Sequence, residues 1–228
     1  MRKNSKVAVI DVGSNAIRLL GGEVDPFGRL LDESFKRYSL RLGTDVFSRG
    51  RFGRGTIGEL EGVFQELAEE MERLGVEDYR AVGTSALRES GNGAETLRRI
   101  ARNTGVKCEI ISGKQESALS KKALLRAIGG APPSAVLLDL GGGSLEVERP
   151  FSRKSYSLPF GTVRLINQYP EFKAPLTVER VAQLRAEIGQ ALRRALPNRY
   201  PAKIGIGTGG NLTVLARSLT QEGGAVSA

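Results

Sequence analysis

The stretch Ala135-Val-Leu-Leu-Asp139-Leu-Gly-Gly-Gly-Ser144-Leu-Glu146 decides the fold, because its design already stands once earlier in the chain. Lys6-Val-Ala-Val-Ile-Asp11-Val-Gly-Ser-Asn15 has the same apolar run, the same Asp-x-Gly and the same small polar turn, 128 positions upstream. Each run reads as a buried strand that stops at a glycine turn. Each is followed by a returning strand, Ala16–Val24 and Leu145–Glu148, so each copy is a hairpin. Such a tip gathers a carboxylate and several backbone amides. Amides in a glycine turn form an anion-binding nest, and the carboxylate can hold Mg²⁺ or its waters. One Asp-x-Gly alone is an ordinary hairpin. Two copies, with Gly207-Thr-Gly-Gly210 as a third glycine loop, predict two similar α/β lobes with a cleft between them, the tips clamping a phosphate chain from both sides.

Between the hairpins, residues 30–42 read as a third strand and Gly43–Gly55 as a glycine- and arginine-rich loop. Thr56-Ile-Gly-Glu59 has capping-box spacing, and Leu60, Val63, Phe64, Leu67, Met71 and Leu74 follow at helical intervals. A strand over Tyr79–Ala86, a helix over Ala94–Asn103, a strand over Val106–Ile111 and a helix over Lys114–Ile128 complete the first half. Gly129-Gly-Ala-Pro-Pro-Ser134 is a break before the second copy. Beyond it lie a strand at Lys154–Leu158, an amphipathic helix at Thr177–Ala195, a strand at Lys203–Gly207 and a helix at Asn211–Leu219. The tail Gln221–Ala228 has no apolar pattern. The lobes are assigned to residues 1–125 and 126–228.

Composition narrows the chemistry. The 228 residues are 40% hydrophobic and 26% charged, as in soluble globular proteins. No window approaches the length of a membrane-spanning helix, and Val7–Ile10 is too short for a signal-peptide core, so a cytoplasmic protein is expected. Histidine is absent, which removes every Ser–His, Cys–His and His–metal mechanism. The single cysteine, Cys108, alternates with apolar neighbours and reads as inert core. Carboxylates, hydroxyls, arginines and backbone amides remain. The net charge of +9 falls unevenly: residues 1–100 hold 16 basic and 16 acidic side chains, residues 101–228 hold 18 and 9. A basic half suits nucleic acid, an acidic membrane surface or a polyanionic substrate. Scattered basic residues and 6% aromatics disfavour nucleic acid, and Arg193 and Arg194 read as a solvated helix face.

Five motifs stand in order: Ile10-Asp-Val-Gly-Ser-Asn-Ala-Ile-Arg-Leu19, Gly83-Thr-Ser-Ala-Leu-Arg88 with Asn92, Ile111-Ser-Gly-Lys-Gln-Glu116, Asp139-Leu-Gly-Gly-Gly-Ser-Leu-Glu146 and Leu158-Pro-Phe-Gly-Thr-Val-Arg164. Together they resemble the exopolyphosphatase/guanosine pentaphosphate phosphohydrolase family. The resemblance implies the two-lobed actin-like (ribonuclease H-like) α/β fold and Mg²⁺-dependent hydrolysis of terminal phosphoanhydrides of polyphosphate or guanosine pentaphosphate. It implies that Glu116 orients or deprotonates the attacking water and that Asp139 and Glu146 support the metal. It further implies phosphate binding by Asp11, Gly13, Ser14, Asn15 and Arg88, by Gly141, Gly142, Gly143 and Ser144, and by Gly209. Taken without the motif, Glu116 is also a first-turn glutamate placed well for a helix dipole. Arg18 and Arg164 flank hairpin turns and read as either structural or phosphate-facing.

The chain departs from the family pattern in three places. Gln115 stands where a second acidic residue is usual, and Leu145 where a threonine is usual. The second lobe is short after Gly210, which predicts an open sheet edge or uncovered apolar face, closed by homodimerisation if at all. Polyphosphate hydrolysis is the favoured reading. Guanosine pentaphosphate hydrolysis, an actin-like kinase or ATPase, and a non-catalytic polyphosphate or nucleotide sensor are the alternatives.

Overall fold

A computed structural model describes residues 3–152, 154–196 and 202–221. The patternless tail beyond Gln221 lies outside the described residues. The chain divides into two compact units, Met1–Ser112 and Gly113–Ala228.

In the first unit, β1 (Ser5–Val12) alternates so that Ala8, Ile10 and Val12 face the core. β2 (Ile17–Val24) returns antiparallel, with Asp11 opposite Arg18, and β3 (Leu30–Tyr38) pairs with β2. β4 (Asp78–Gly83) and β5 (Glu109–Ile110) lie parallel on the other side of β1, giving the order β3-β2-β1-β4-β5. Four helices accompany the sheet: α1 (Leu42–Arg49), α2 (Arg54–Leu74), α3 (Ser85–Glu89) and α4 (Gly93–Thr104). Leu60, Phe64 and Leu67 of α2 and Ile100 of α4 join Ile10, Ile17 and Leu19 in one fully buried cluster.

Two local expectations change. The segment expected as a loop over Gly43–Gly55 contains α1, which buries Leu42 and Val46 four positions apart. Its glycines mark ends rather than a coil: Gly50 takes a left-handed φ of 71° after α1, and Gly53 precedes α2. Thr56 is therefore not the cap, and its hydroxyl donates to the Asp45 carboxylate at 2.6 Å. The strand expected over Tyr79–Ala86 stops at Gly83 because α3 starts at Ser85.

One buried carboxylate ties β3 to α2. Glu70 is 4% exposed and accepts from Arg73 and, at 2.6 Å, from Lys36. Arg73 first, then Lys36, holds its carboxyl at about 2 against an ordinary 4.5. A group lowered on folding stabilises the fold above its unfolded value, and that contribution is lost as pH falls from 4.5 towards 2. Glu70→Gln is expected to flatten the acid-unfolding curve across that window, followed by circular dichroism.

The second unit opens with α5 (Gly113–Ala127) and continues with β6 (Ala135–Leu140), β7 (Leu145–Glu148), β8 (Ser155–Leu158), α6 (Thr162–Gln168), α7 (Val178–Ala195), β9 (Ile204–Thr208) and α8 (Gly210–Gln221). Its sheet runs β8-β7-β6-β9, with β9 parallel to β6. This repeats the first four strands of the other sheet, in the ribonuclease H-like order of the actin-like fold. Thr177 caps α7 by accepting from the amide of Arg180 at 3.2 Å. The division falls before α5 rather than at 125/126, because α5 packs on β6, β7 and β8 and buries Ser117 there. β9 is an edge strand with Ile204 exposed, and Val214 and Leu215 of α8 are exposed beside it. Among the described residues, the first unit buries twenty apolar side chains and the second six. No helix among them is long and apolar enough to cross a membrane.

Candidate active site

The turn Gly141–Ser144 is closed by the Gly141 amide donating to the Ser144 carbonyl at 3.0 Å. So short a turn fixes the register, setting Leu140 opposite Leu145 and Asp139 opposite Glu146. Directly opposed residues share a sheet face, so the two carboxylates stand side by side. The row extends across the sheet, with Thr208 of β9 beside Asp139 and Ser157 of β8 opposite Glu146. Ser157 donates to Glu146 at 2.9 Å, holding a carboxylate that is only 3% exposed.

α5 covers this face with an unusually polar stripe. Ser120 donates to Asp139 at 2.5 Å. Ser117 donates to Glu148, and Lys121 lies 3.6 Å from the same carboxylate while donating to the Ser152 carbonyl at 2.7 Å. These side chains, with Leu124 and Leu137, line a small, half-open pocket that also reaches Asp139, Glu146 and Thr208. Glu116 sits in the first turn of α5, four residues before Ser120 and hence on the same helical face. The Ser120–Asp139 contact thus brings Glu116 within one turn of the carboxylate pair. Ser120→Ala removes a bond to a charged group and is expected to lower the unfolding free energy by about 1–3 kcal/mol in urea titration.

The glycine turn is oriented by α6. The first amides of a helix lack partners within it. Here Thr162 donates to the Gly141 carbonyl at 3.1 Å, and Val163 and Arg164 donate to that of Gly142 at 2.8 and 3.1 Å. The Arg164 side chain donates to the Gly143 carbonyl at 2.8 Å, so it braces the turn. In a trans peptide the N–H points opposite to the C=O. With these three carbonyls turned to α6, the amides of Gly142, Gly143 and Ser144 face the other way, the arrangement from which an anion nest can be built. Gly209, at φ +98°, closes beside it: a Cβ there would lie 3.2 Å from the Asp139 carboxylate and 3.1 Å from the Leu140 carbonyl.

The first unit carries the matching turn. The Gly13 amide donates to Ala16 at 3.1 Å, and Asp11 pairs with Arg18 at 2.7 Å across the hairpin, giving Arg18 a structural partner. Ser14, expected as a phosphate ligand, is 3% exposed and its hydroxyl is engaged with that of Ser85 at 2.7 Å. It joins the turn containing Asn15 to α3, which carries Arg88; Arg88 in turn donates to the Ile111 carbonyl at 2.9 Å. Asn92 does not face this turn. It clasps Phe52, accepting from its amide at 2.9 Å and donating to its carbonyl at 3.0 Å. Burial pushes the Cys108 thiol up to about 12, with Asp11 and Glu109 adding to the shift, which makes it inert.

Two duplicated Asp-x-Gly turns on repeated sheets match a known pattern. The profile of the Ppx/GppA phosphatase family covers residues 31–224. The chain belongs to the Ppx/GppA phosphatase family. Among relatives, Exopolyphosphatase 1 of Mycobacterium leprae is 32% identical over 183 residues, 79% of this chain and 54% of that protein. Exopolyphosphatase 2 of Mycobacterium tuberculosis is 32% identical over 232 residues, 95% of this chain and 72% of that protein. The crystal structure of the Aquifex aeolicus Ppx/GppA family member superposes with a TM-score of 0.75 at 28% identity, covering 99% of this chain and 72% of that one. The chain spans about half the length of the first of these Ppx/GppA relatives.

Sequence reasoning missed the residues that orient the site: Ser120, Ser157, the Ser117–Lys121–Glu148 cluster and α6. Ser120 carried a signal, being one helical turn beyond Glu116. The other contacts depend on strand register and on a seven-residue helix too short for a periodic pattern.

Proposed function

We propose that this protein hydrolyses the terminal phosphoanhydride of inorganic polyphosphate, with Glu116 holding and deprotonating the attacking water. The observation that carries the reading is the Ser120–Asp139 bond, which brings Glu116 within a turn of two paired carboxylates next to a glycine nest. Names of family relatives support polyphosphate as substrate.

Phosphoryl transfer needs an in-line water and stabilised charge rather than covalent help from the protein. The amides of Gly142, Gly143 and Ser144 would take the terminal phosphate oxygens. The first unit offers its own phosphate turn at Asp11, Gly13, Ser14 and Asn15, through backbone rather than the Ser14 hydroxyl, together with Arg88. Among the described residues no three acidic, cysteine or histidine side chains converge as a closed metal centre. Asp139 and Glu146 instead offer a facing pair of hard oxygen donors. That fits Mg²⁺, which binds through one or two carboxylates and completes its shell with water and substrate phosphate. Bound there, Mg²⁺ would neutralise charge on phosphate oxygens.

Phosphate release should be measured from long-chain polyphosphate and, separately, from guanosine pentaphosphate, with and without Mg²⁺. Mg²⁺-dependent release favouring polyphosphate is expected. Release from the pentaphosphate alone would make the protein a nucleotide phosphohydrolase. Tight binding without release from either would make it a sensor.

A further inference from the structure

The arginine-rich segment between β3 and α2 takes no part in the chemistry above. Residues 41–54 contain four arginines and one aspartate. Arg41, Arg49, Arg51 and Arg54 are all exposed, and among the described residues none of their side chains makes a hydrogen bond or ion pair. Elsewhere in the same unit, Arg18, Arg29, Arg73, Arg80 and Arg99 each face a carboxylate. The one acid in the segment, Asp45, is bonded elsewhere, accepting from the Gly53 amide at 2.8 Å and from Thr56 at 2.6 Å, and Arg49 acts on it only through its charge.

These arginines stand on a fixed platform. Leu42 and Val46 are buried beneath α1, and Phe52 is 2% exposed with both backbone groups clasped by Asn92. The Gly91 amide donates to the Gly50 carbonyl at 2.9 Å. A backbone held this way leaves only side-chain freedom to lose on binding. The platform is continuous with the phosphate turn of its own unit, because the Gly43 amide donates to the Ser14 carbonyl at 2.8 Å. From that contact α1 rises about 9 Å along its axis to Arg49, at 1.5 Å per residue.

We propose that Arg49, Arg51 and Arg54 form a surface that holds the distal, non-reacting stretch of a polyphosphate chain. This rests on the polyphosphate reading of the Ser14 turn. Single-stranded nucleic acid is the less suited polyanion, because its binding relies on aromatic platforms for the bases. The two aromatics of the segment, Phe47 and Phe52, are packed with the core. A chain of bare phosphates needs only the guanidinium charges.

The test is the triple variant R49Q/R51Q/R54Q, three exposed changes that leave the fold intact. Direct binding of long-chain polyphosphate and of tripolyphosphate is measured at several salt concentrations, alongside turnover of both. Long-chain affinity is expected to fall about tenfold or more, and the log–log salt slope by about 2, as for three lost charge contacts. Affinity and turnover for tripolyphosphate stay within twofold of wild type. Equal effects on both chain lengths, or none, overturn the proposal, as does single-stranded RNA binding more tightly than polyphosphate and being lost in the same variant. Because binding is read without turnover, an inactive wild type that shows the chain-length effect rejects the hydrolase reading alone.

Discussion

Glu116→Gln is expected to lower kcat for polyphosphate by about 10²–10⁴, the usual contribution of a positioned general base, with KM little changed. Glutamine keeps the shape of the side chain and removes its ability to take a proton. Ser117 and Ser120 still join α5 to the sheet, and Lys121 still donates to the Ser152 carbonyl. The variant should therefore fold and bind as wild type does. A first-turn glutamate that only complements the helix dipole is worth about 0.3–1 kcal/mol. If the role were that, Tm would drop slightly and kcat would stay. Steady-state kinetics together with thermal melting separates the two.

Gly161→Ala is expected to be the most damaging single methyl in the second unit. Gly161 precedes α6 and lies against the glycine turn, where an added Cβ would stand 2.2 Å from the Gly143 nitrogen and 2.3 Å from the Gly142 carbonyl carbon. Both neighbours are backbone, so no side chain can swing aside. Either α6 is displaced, breaking its bonds to Gly141 and Gly142, or the turn is. Overpacking a well-fitted site costs about 1–3 kcal/mol and more when backbone must move, so a loss of about 3 kcal/mol or more is expected in urea unfolding. Activity should fall further than stability, since the displaced amides are those assigned to phosphate. Gly205→Ala, where nothing lies within 4 Å of the added Cβ, is the control.

The hairpins, the duplication and the main helices were legible because each rests on local pattern: apolar runs ending in Asp-x-Gly, or leucines at helical spacing. The helix α1 was hidden by its glycines and arginines, which suggest coil, although tertiary burial of Leu42 and Val46 overrides that preference. Asp139 and Glu146 could be named from sequence, and their pairing follows from the turn length. What holds them could not. Ser120 and Ser157 reach them from other elements, and a serine in a sequence does not announce its acceptor. Ser14 shows the converse: its motif position suggests a ligand, whereas folding sets its hydroxyl against Ser85.

The uneven distribution of buried side chains bears on motion. With most apolar burial in the first unit, the strands β1, β2 and β4 should retain their amide protons longest under native exchange. The second unit, whose helix α5 rests on serines and a lysine more than on leucines, should exchange through cheaper partial openings. The Asp139 hairpin would then belong to the part of the molecule that breathes first, and a phosphate chain seated on its turn would slow that exchange.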